Sequence, residues 1–576
     1  MVEEIILEPR DAIYNAGLYG LFNLLIDACG DDEETEARIR SCSEGLLVPT
    51  KLLDGLEVKW VDHAIKLFGA DCPLSRLLNQ YSSLASMREE SEKNVVNAYK
   101  KSLRDRLEKA SYKSAYVIIA DKGDAFDALT AYKEIRNLND MEFVRASAPI
   151  ANYLKRHRRT FLMKEIAYTV VNTYWTDKAF LSQSKNKKDI ELCIKEDFIE
   201  PIVKWLDDKK KQTGSCLMCG RSASGVYTSP MTWICDMGVD DARKKSNFYN
   251  FVPDSYLCPL CTLVYSCLPF GFSIAGGDGL FINFSSDFKS MREANGRFAI
   301  MADETSEAAK ENAEGSYRRF YHLRRRAYEA LCNTENAKDR SGAVQIIQRR
   351  KNGDSVRYAV EQLSAEKVFV LQKCSEQFKK LTEMSVKLGD GGFINLFTEA
   401  VDNLMDGRSQ HDLLNRIMRT YVGAGSRMRG VPELLRIEIC FEEAIDRTRT
   451  KQEGKMDFSY AVYKKARAYS EKAAAMHDRL SRAEDGSPSE REKKVSNKLR
   501  GYIYKLLNQL NTRDYQGFAD SVARMHLSCG EDFPTDMLME MMISEDKFQT
   551  YGMAYIYGLS NGNASADNKD NNREEN

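Results

Sequence analysis

Apolar residues recur at helical spacing over most of the chain. From Ile13 to Ala28 they fall three and four positions apart, with Gly17 and Gly20 one turn apart. That pattern predicts a helix which another element can approach closely. Trp60 to Phe68 predicts a short amphipathic helix, and Tyr81 to Ala110 a long one whose charge run suits a solvated face. Helical spacing returns from Ala365 to Lys387 and stops at the Gly389 to Gly392 cluster. It then dominates Pro432 to Arg449, Asp457 to Leu480, Glu490 to Leu510, Asp514 to Leu527 and Ser544 to Leu559. Short linkers such as Glu484 to Pro488 predict antiparallel neighbours in a bundle.

Strand-like patterning is confined to the middle. Gly225 to Ile234 and Phe248 to Val252 read as strands, and Leu268 to Phe284 as a hairpin turning at Gly276 to Gly279. Val344 to Arg350 and Val356 to Leu363 flank Lys351-Asn352-Gly353-Asp354, and Asn-Gly suits the type I′ turn of a hairpin. The pattern predicts a mainly helical α+β fold. Its regions are a mostly helical 1–210, a strand-bearing module at 211–290, an α+β region at 291–430 holding the 344–363 hairpin, and an antiparallel helical bundle at 431–559. The tail 560–576, rich in Asn and charge, is expected to be disordered.

At 576 residues the chain is too long for one hydrophobic core. Its 84 Lys and Arg nearly cancel 85 Asp and Glu, so any surface for a polyanion must be local. Four of the 14 cysteines form a paired motif, and the rest are scattered without the density of a secreted disulfide scaffold. With the acidic Glu3-Glu4 near the start, unlike a signal peptide, this points to a reducing, cytoplasmic setting. Ser255 to Gly277 is uncharged for 23 residues, about the length of a membrane span. Its prolines, glycines and cysteines argue instead for a metal knuckle running into buried strand.

The paired motif is Cys216-Leu-Met-Cys219, 38 intervening residues, then Cys258-Pro-Leu-Cys261. Each C-x-x-C puts two thiolates on one turn, and two such turns close a tetrahedral, structural zinc site. Cys235 and Cys267 are second choices as ligands. Four basic clusters are candidates for phosphate contact or, equally, plain solvated surface. The first is Lys155, Arg156, Arg158 and Arg159, around His157 and flanked by Arg145 and Lys164. The second is the loop carrying Arg243, Lys244, Lys245, Asn247 and Asn250 beside Phe248 and Tyr249, side chains able to read base edges and stack. The third is Arg318, Arg319, Arg324 and Arg325 interleaved with aromatics between Tyr317 and Tyr328. The fourth is Lys493, Lys494, Lys498, Arg500 and Lys505, in a stretch (487–526) with eight basic and four acidic residues.

Catalytic signatures are missing: no phosphate loop, no H-E-x-x-H, and none of the six histidines followed two residues later by Glu. His411-Asp412 and His477-Asp478 sit in ordinary amphipathic helices, and Gly276-Gly277-Asp278-Gly279 lacks a second acidic residue. The chain reads as a binding protein and not an enzyme. The rival readings are a metal-dependent nuclease using His411, Asp412 and the carboxylate of Asp278, or a zinc-ribbon scaffold with no nucleic-acid role.

Several stretches together resemble a known family. They are the two C-x-x-C knuckles, S-C-L-P-F-G-F at Ser266 to Phe272, N-A-G-L-Y-G-L at Asn15 to Leu21, L-R-G-Y-I-Y-K-L-L-N-Q-L at Leu499 to Leu510, and G-M-A-Y-I-Y-G-L at Gly552 to Leu559. The chain resembles the large subunit of the type I-B CRISPR Cascade complex. That resemblance implies a non-catalytic subunit of an RNA-guided surveillance complex, in contact with the backbone, handle-binding and small subunits. It also implies binding near the 5′ handle of the CRISPR RNA and recognition of the protospacer-adjacent motif in target double-stranded DNA. Help with R-loop opening, contact with the displaced strand and recruitment of a helicase-nuclease complete the expectation. The family further suggests a small subunit translated internally. Met456 follows Gln452-Glu453-Gly454, whose codons can spell a purine-rich ribosome-binding sequence.

Overall fold

The computed structural model describes residues 3–86, 93–208, 214–235, 256–275, 278–284, 288–296, 327–328, 330–331, 344–352, 355–387, 392–449, 461–532 and 534–562. It is mainly helical with small antiparallel sheets, and it divides into two compact units. The first comprises Met1–Leu323 with Gln345–Gln362, and the second Arg324–Val344 with Leu363–Asn576.

The first unit is built around the helix Ala12–Cys29. Asp11 starts it by accepting the Ile13 and Tyr14 backbone N–H groups. Its glycine face meets the helix Pro259–Ser266 and the turn Leu268–Gly271. A Cβ on Gly17 would lie 2.5 Å from the Val264 carbonyl oxygen, and one on Gly20 2.1 Å from that of Cys267. Only glycine permits that approach. Asn15, fully buried, donates to Asn283 at 2.8 Å and so ties the helix to a sheet. That sheet runs in the order Ser355–Leu363, Val344–Asn352, Asp278–Phe284, Ser273–Ala275. Arg349 points inward from it at 2% exposure, 4.0 Å above the Tyr174 ring, and donates to the Thr173 carbonyl. An aromatic core of Trp60, Trp175, Phe180, Phe198, Trp233 and Phe270 fills the space behind the knuckle helix, with Trp175 Nε1 donating to the Ser266 carbonyl at 3.2 Å.

Four sequence expectations change here. Tyr81 to Ala110 is not one helix: Pro73–Ser86 and Lys93–Leu107 pack on each other, with the Tyr81 and Tyr99 rings 6.0 Å apart. A continuous helix would separate those residues by about 27 Å. Gly225 to Ile234 contributes only the short strand Ser229–Pro230 before a 3-10 turn, Met231–Trp233, that delivers Trp233 to the aromatic core. Leu268 to Phe284 begins as helix, leaving Ser273–Ala275 and Asp278–Phe284 as the paired strands. Ala365 to Lys387 divides into helices Ala365–Lys373 and Ser375–Leu381 and a strand, Ser385–Lys387, paired with Phe393–Asn395.

The second unit is a helical assembly: Leu396–Asp406, His411–Ala424, Val431–Arg449, Ala461–Arg482, Pro488–Asn511, Tyr515–Cys529, Thr535–Met541 and Glu545–Asn561. The last helix is its axis. Tyr551, Met553, Ala554, Tyr555, Ile556 and Leu559 are all buried on it, and Ala461–Arg482 packs along its length. Pro488–Asn511 opens with a capping box in which Glu490 accepts the Ser487 N–H and Ser487 caps in return. Among the described residues no helix is long and apolar enough to cross a membrane. The expected strand Phe248 to Val252, the hairpin tip Gly353-Asp354 and all but the first three residues of the 560–576 tail lie outside the described residues.

Candidate metal centre

Each half of the centre is made by local backbone hydrogen bonds. The first knuckle turns between the paired strands Gly214–Ser215 and Ser222–Ala223. Cys216 N–H donates to the Arg221 carbonyl and Gly220 N–H to the Cys216 carbonyl, both at 2.9 Å. Gly220 holds φ +72°, the left-handed conformation the turn needs. The second knuckle follows the strand Tyr256–Leu257, which pairs with Ser229–Pro230. Cys258 caps the helix Pro259–Ser266 and Cys261 stands in its first turn, with proline at the first helical position. Leu217 N–H donates to the Tyr256 carbonyl at 2.9 Å and locks the two knuckles together.

One sulfur from each of Cys216, Cys219, Cys258 and Cys261 lies within 4.8 Å of the others, and Cys219 Sγ is 3.6 Å from Cys258 Sγ. A zinc ion with Zn–S bonds of ~2.3 Å sets sulfur separations near ~3.8 Å, so the cluster fits a tetrahedral four-thiolate site. All four are free thiols, and three of them are buried. Crowded thiols cannot all ionise unaided. Hydrogen bonding from Cys219, then from Cys258 and Cys261, pulls the Cys216 thiol well down, while hydrogen bonding with Cys216 and Cys219 pushes Cys258 and Cys261 well up. A bound dication removes that conflict, because each sulfur then binds as thiolate. The Tyr14 hydroxyl on the first helix sits 4.0 Å from Cys261 Sγ, and Arg221 hydrogen-bonds Cys219 while its Nη2 donates to the Ile6 carbonyl. Neither second-choice cysteine joins the cluster. Cys235 Sγ faces the Asn172 carbonyl, and burial pushes the Cys267 thiol up to about 12 beside Ser266.

The basic candidates fall into three conditions. Lys155 lies over the Tyr81 ring, Arg156 pairs with Asp124 at 2.9 Å, Arg158 donates to Ser75, and Arg159 pairs with Glu191 and Asp62. That cluster is tied into the first unit by acids at Arg156 and Arg159, by a hydroxyl at Arg158 and by a ring at Lys155. Lys493, Lys494, Lys498, Arg500 and Lys505 are all exposed on Pro488–Asn511. At 3.6 residues per turn they occupy one half of the helix, opposite the buried Val495, Leu499, Ile503, Leu506 and Leu510. Lys498 pairs with Glu484 and Lys494 donates to the Asp485 carbonyl. Arg243, Lys244, Lys245, Asn247, Asn250, Arg318, Arg319, Arg324 and Arg325 lie outside the described residues.

The carboxylate of Asp412 is not His411's partner: Asp412 is exposed, and His411 Nε2 meets Thr550 Oγ1 at 2.9 Å. Asp278 belongs to the first unit and His411 to the second.

Residues 209–273 match a family described as CRISPR-associated protein (Cas_CXXC_CXXC). The match indicates a CRISPR-associated protein. It takes in both knuckles and the helical turn that receives Gly17 and Gly20. No curated protein and no solved structure matches the chain.

Proposed function

We propose that this chain is the large, non-catalytic subunit of an RNA-guided type I-B CRISPR surveillance complex, with a structural zinc ion on Cys216, Cys219, Cys258 and Cys261. The carrying observation is that the family match falls on the four-cysteine cluster and on the helix that packs against Ala12–Cys29. Two other stretches that resemble the family bury apolar residues in the second unit: Leu499–Leu510 along one face of Pro488–Asn511, and Gly552–Leu559 in the final helix. Four thiolates leave zinc no position for an activated water, so the ion's role is to hold the fold.

In this reading guide pairing supplies sequence specificity, while the protein reads a short duplex motif and steadies the opened strands. The stretch from Arg243 to Asn250, which lies between the two knuckles in sequence, is the proposed reader. The outward basic face of Pro488–Asn511 holds displaced single strand through phosphate charge. The Lys155 to Arg159 and Arg318 to Arg325 clusters are proposed as further backbone contacts. The test is co-purification from the native host, followed by bandshifts with duplexes that vary the flanking motif. A stoichiometric CRISPR RNA and motif-dependent binding are expected. Absence of guide RNA, or metal-dependent cleavage of labelled DNA by the purified chain, overturns the reading.

A further inference from the structure

Away from the cysteine centre, three helices of the second unit converge on a histidine and three carboxylates. His411 opens His411–Ala424, Glu438 and Glu442 stand one turn apart on Val431–Arg449, and Asp546 lies in the first turn of Glu545–Asn561. One ligand atom each from His411, Glu442 and Asp546 come within 4.8 Å of one another. His411 Nε2 is 3.5 Å from Glu442 Oε1 and 3.9 Å from Glu438 Oε1. Thr550, fully buried, donates to Glu442 Oε1 at 2.9 Å and lies 2.9 Å from the same imidazole nitrogen.

Glu438 supplies the second, independent observation. It is 1% exposed, its carboxylate accepts from the Gln410 N–H and the Ser409 side chain and shares a hydrogen bond with Glu442, and its other oxygen faces His411. Among the described residues no lysine or arginine pairs with it. A hydrogen bond between two carboxyl groups needs a proton on one of them, and a metal ion can take that proton's place between the two. Glutamates from facing helices joined by a histidine are the donor set with which bundles hold metals in their interior.

We propose that His411, Glu442 and Asp546, backed by Glu438, form a second cation site, which takes one divalent transition-metal ion and clamps the three helices together. Imidazole with carboxylates suits Mn²⁺, Fe²⁺ or Zn²⁺, whereas the all-sulfur centre disfavours Mn²⁺, so the two sites are separable by choice of metal. The proposal is independent of what the chain assembles with.

The full chain, carrying its cysteine-bound metal, is titrated with Mn²⁺ alone and followed by electron paramagnetic resonance and by thermal melting. One saturable equivalent and a rise in Tm are expected. Glu442→Gln and Asp546→Asn each weaken Mn²⁺ binding by at least about tenfold, the loss seen even for partners of metal ligands, and remove the rise in Tm. Asp546 is at the surface, so Asp546→Asn decides the matter should Glu442→Gln fail to fold. No saturable equivalent, or one that survives Asp546→Asn, overturns the proposal.

Discussion

Replacing Gly20 by alanine tests the packing that supports the metal centre. The added Cβ would sit 2.1 Å from the Cys267 carbonyl oxygen and 3.0 Å from the Gly271 nitrogen, both backbone atoms. Neither can swing aside as a side chain would, so one helix must retreat by at least about 1 Å to restore van der Waals contact. Overpacking of this kind costs roughly 1–3 kcal/mol, and the gain in helix propensity from Gly to Ala returns about 1 kcal/mol. Since the carbonyl is a rigid obstacle, the upper part of the cost should apply, for a net loss of about 1–2 kcal/mol. For a unit of this size that lowers Tm by roughly 1–3 °C. Gly501 is the control: it is exposed on Pro488–Asn511 with nothing within 4 Å of a Cβ, so Gly501→Ala should raise the stability of its own unit by up to about 1 kcal/mol. Because Cys267 and Gly271 directly continue the helix that Cys258 caps, Gly20→Ala should also loosen the bound metal, read as faster transfer to a colorimetric chelator. If Gly20→Ala stabilises as Gly501→Ala does, the close crossing is refuted, and with it the account of why the knuckle helix is held where it is.

Cys258→Ser should abolish stoichiometric metal and impair folding before it alters any binding preference, since a structural zinc is worth about 10–16 kcal/mol in isolated fingers at neutral pH; a folded, metal-free, fully active variant would refute the structural role. Acidification should release the metal, because protons compete for thiolates that must be deprotonated to bind, and metal content followed against pH checks the direction. Lys493→Ala, Arg500→Ala and Lys505→Ala combined should weaken single-strand binding and flatten its salt dependence by up to about 2 in the logarithmic slope, at about 0.7 per phosphate contact; an unchanged slope would remove that face from the interface. Met456→Leu should eliminate a short C-terminal product on an expression gel, and its persistence would place any internal start elsewhere.

The cysteine centre was legible in the sequence because its chemistry is local twice over. Each C-x-x-C is one turn, so only the pairing of two turns had to be supplied by the fold, and the glycine spacing in Ala12–Cys29 announced that something would come close. What came close was misread, for a physical reason. Leu257 to Phe272 is apolar almost throughout and buried on every side, so it carries no amphipathic period to distinguish strand from helix. The deciding signals were Pro259 and Pro269, each near the start of a helical turn, where a missing N–H is no loss. The His411 cluster was illegible for the opposite reason. Its neighbour in sequence, Asp412, points to solvent, because adjacent residues on a helix diverge by about 100°. Its partners in space, Glu438, Glu442, Asp546 and Thr550, come from two other helices whose relative placement no local pattern encodes. Those carboxylates look like ordinary surface charge along the chain, and only burial separates Glu438 from the solvated glutamates around it. A four-sulfur site can therefore be inferred from spacing, whereas a mixed imidazole and carboxylate site in a bundle has to be inferred from buried carboxyl groups that only the fold brings together.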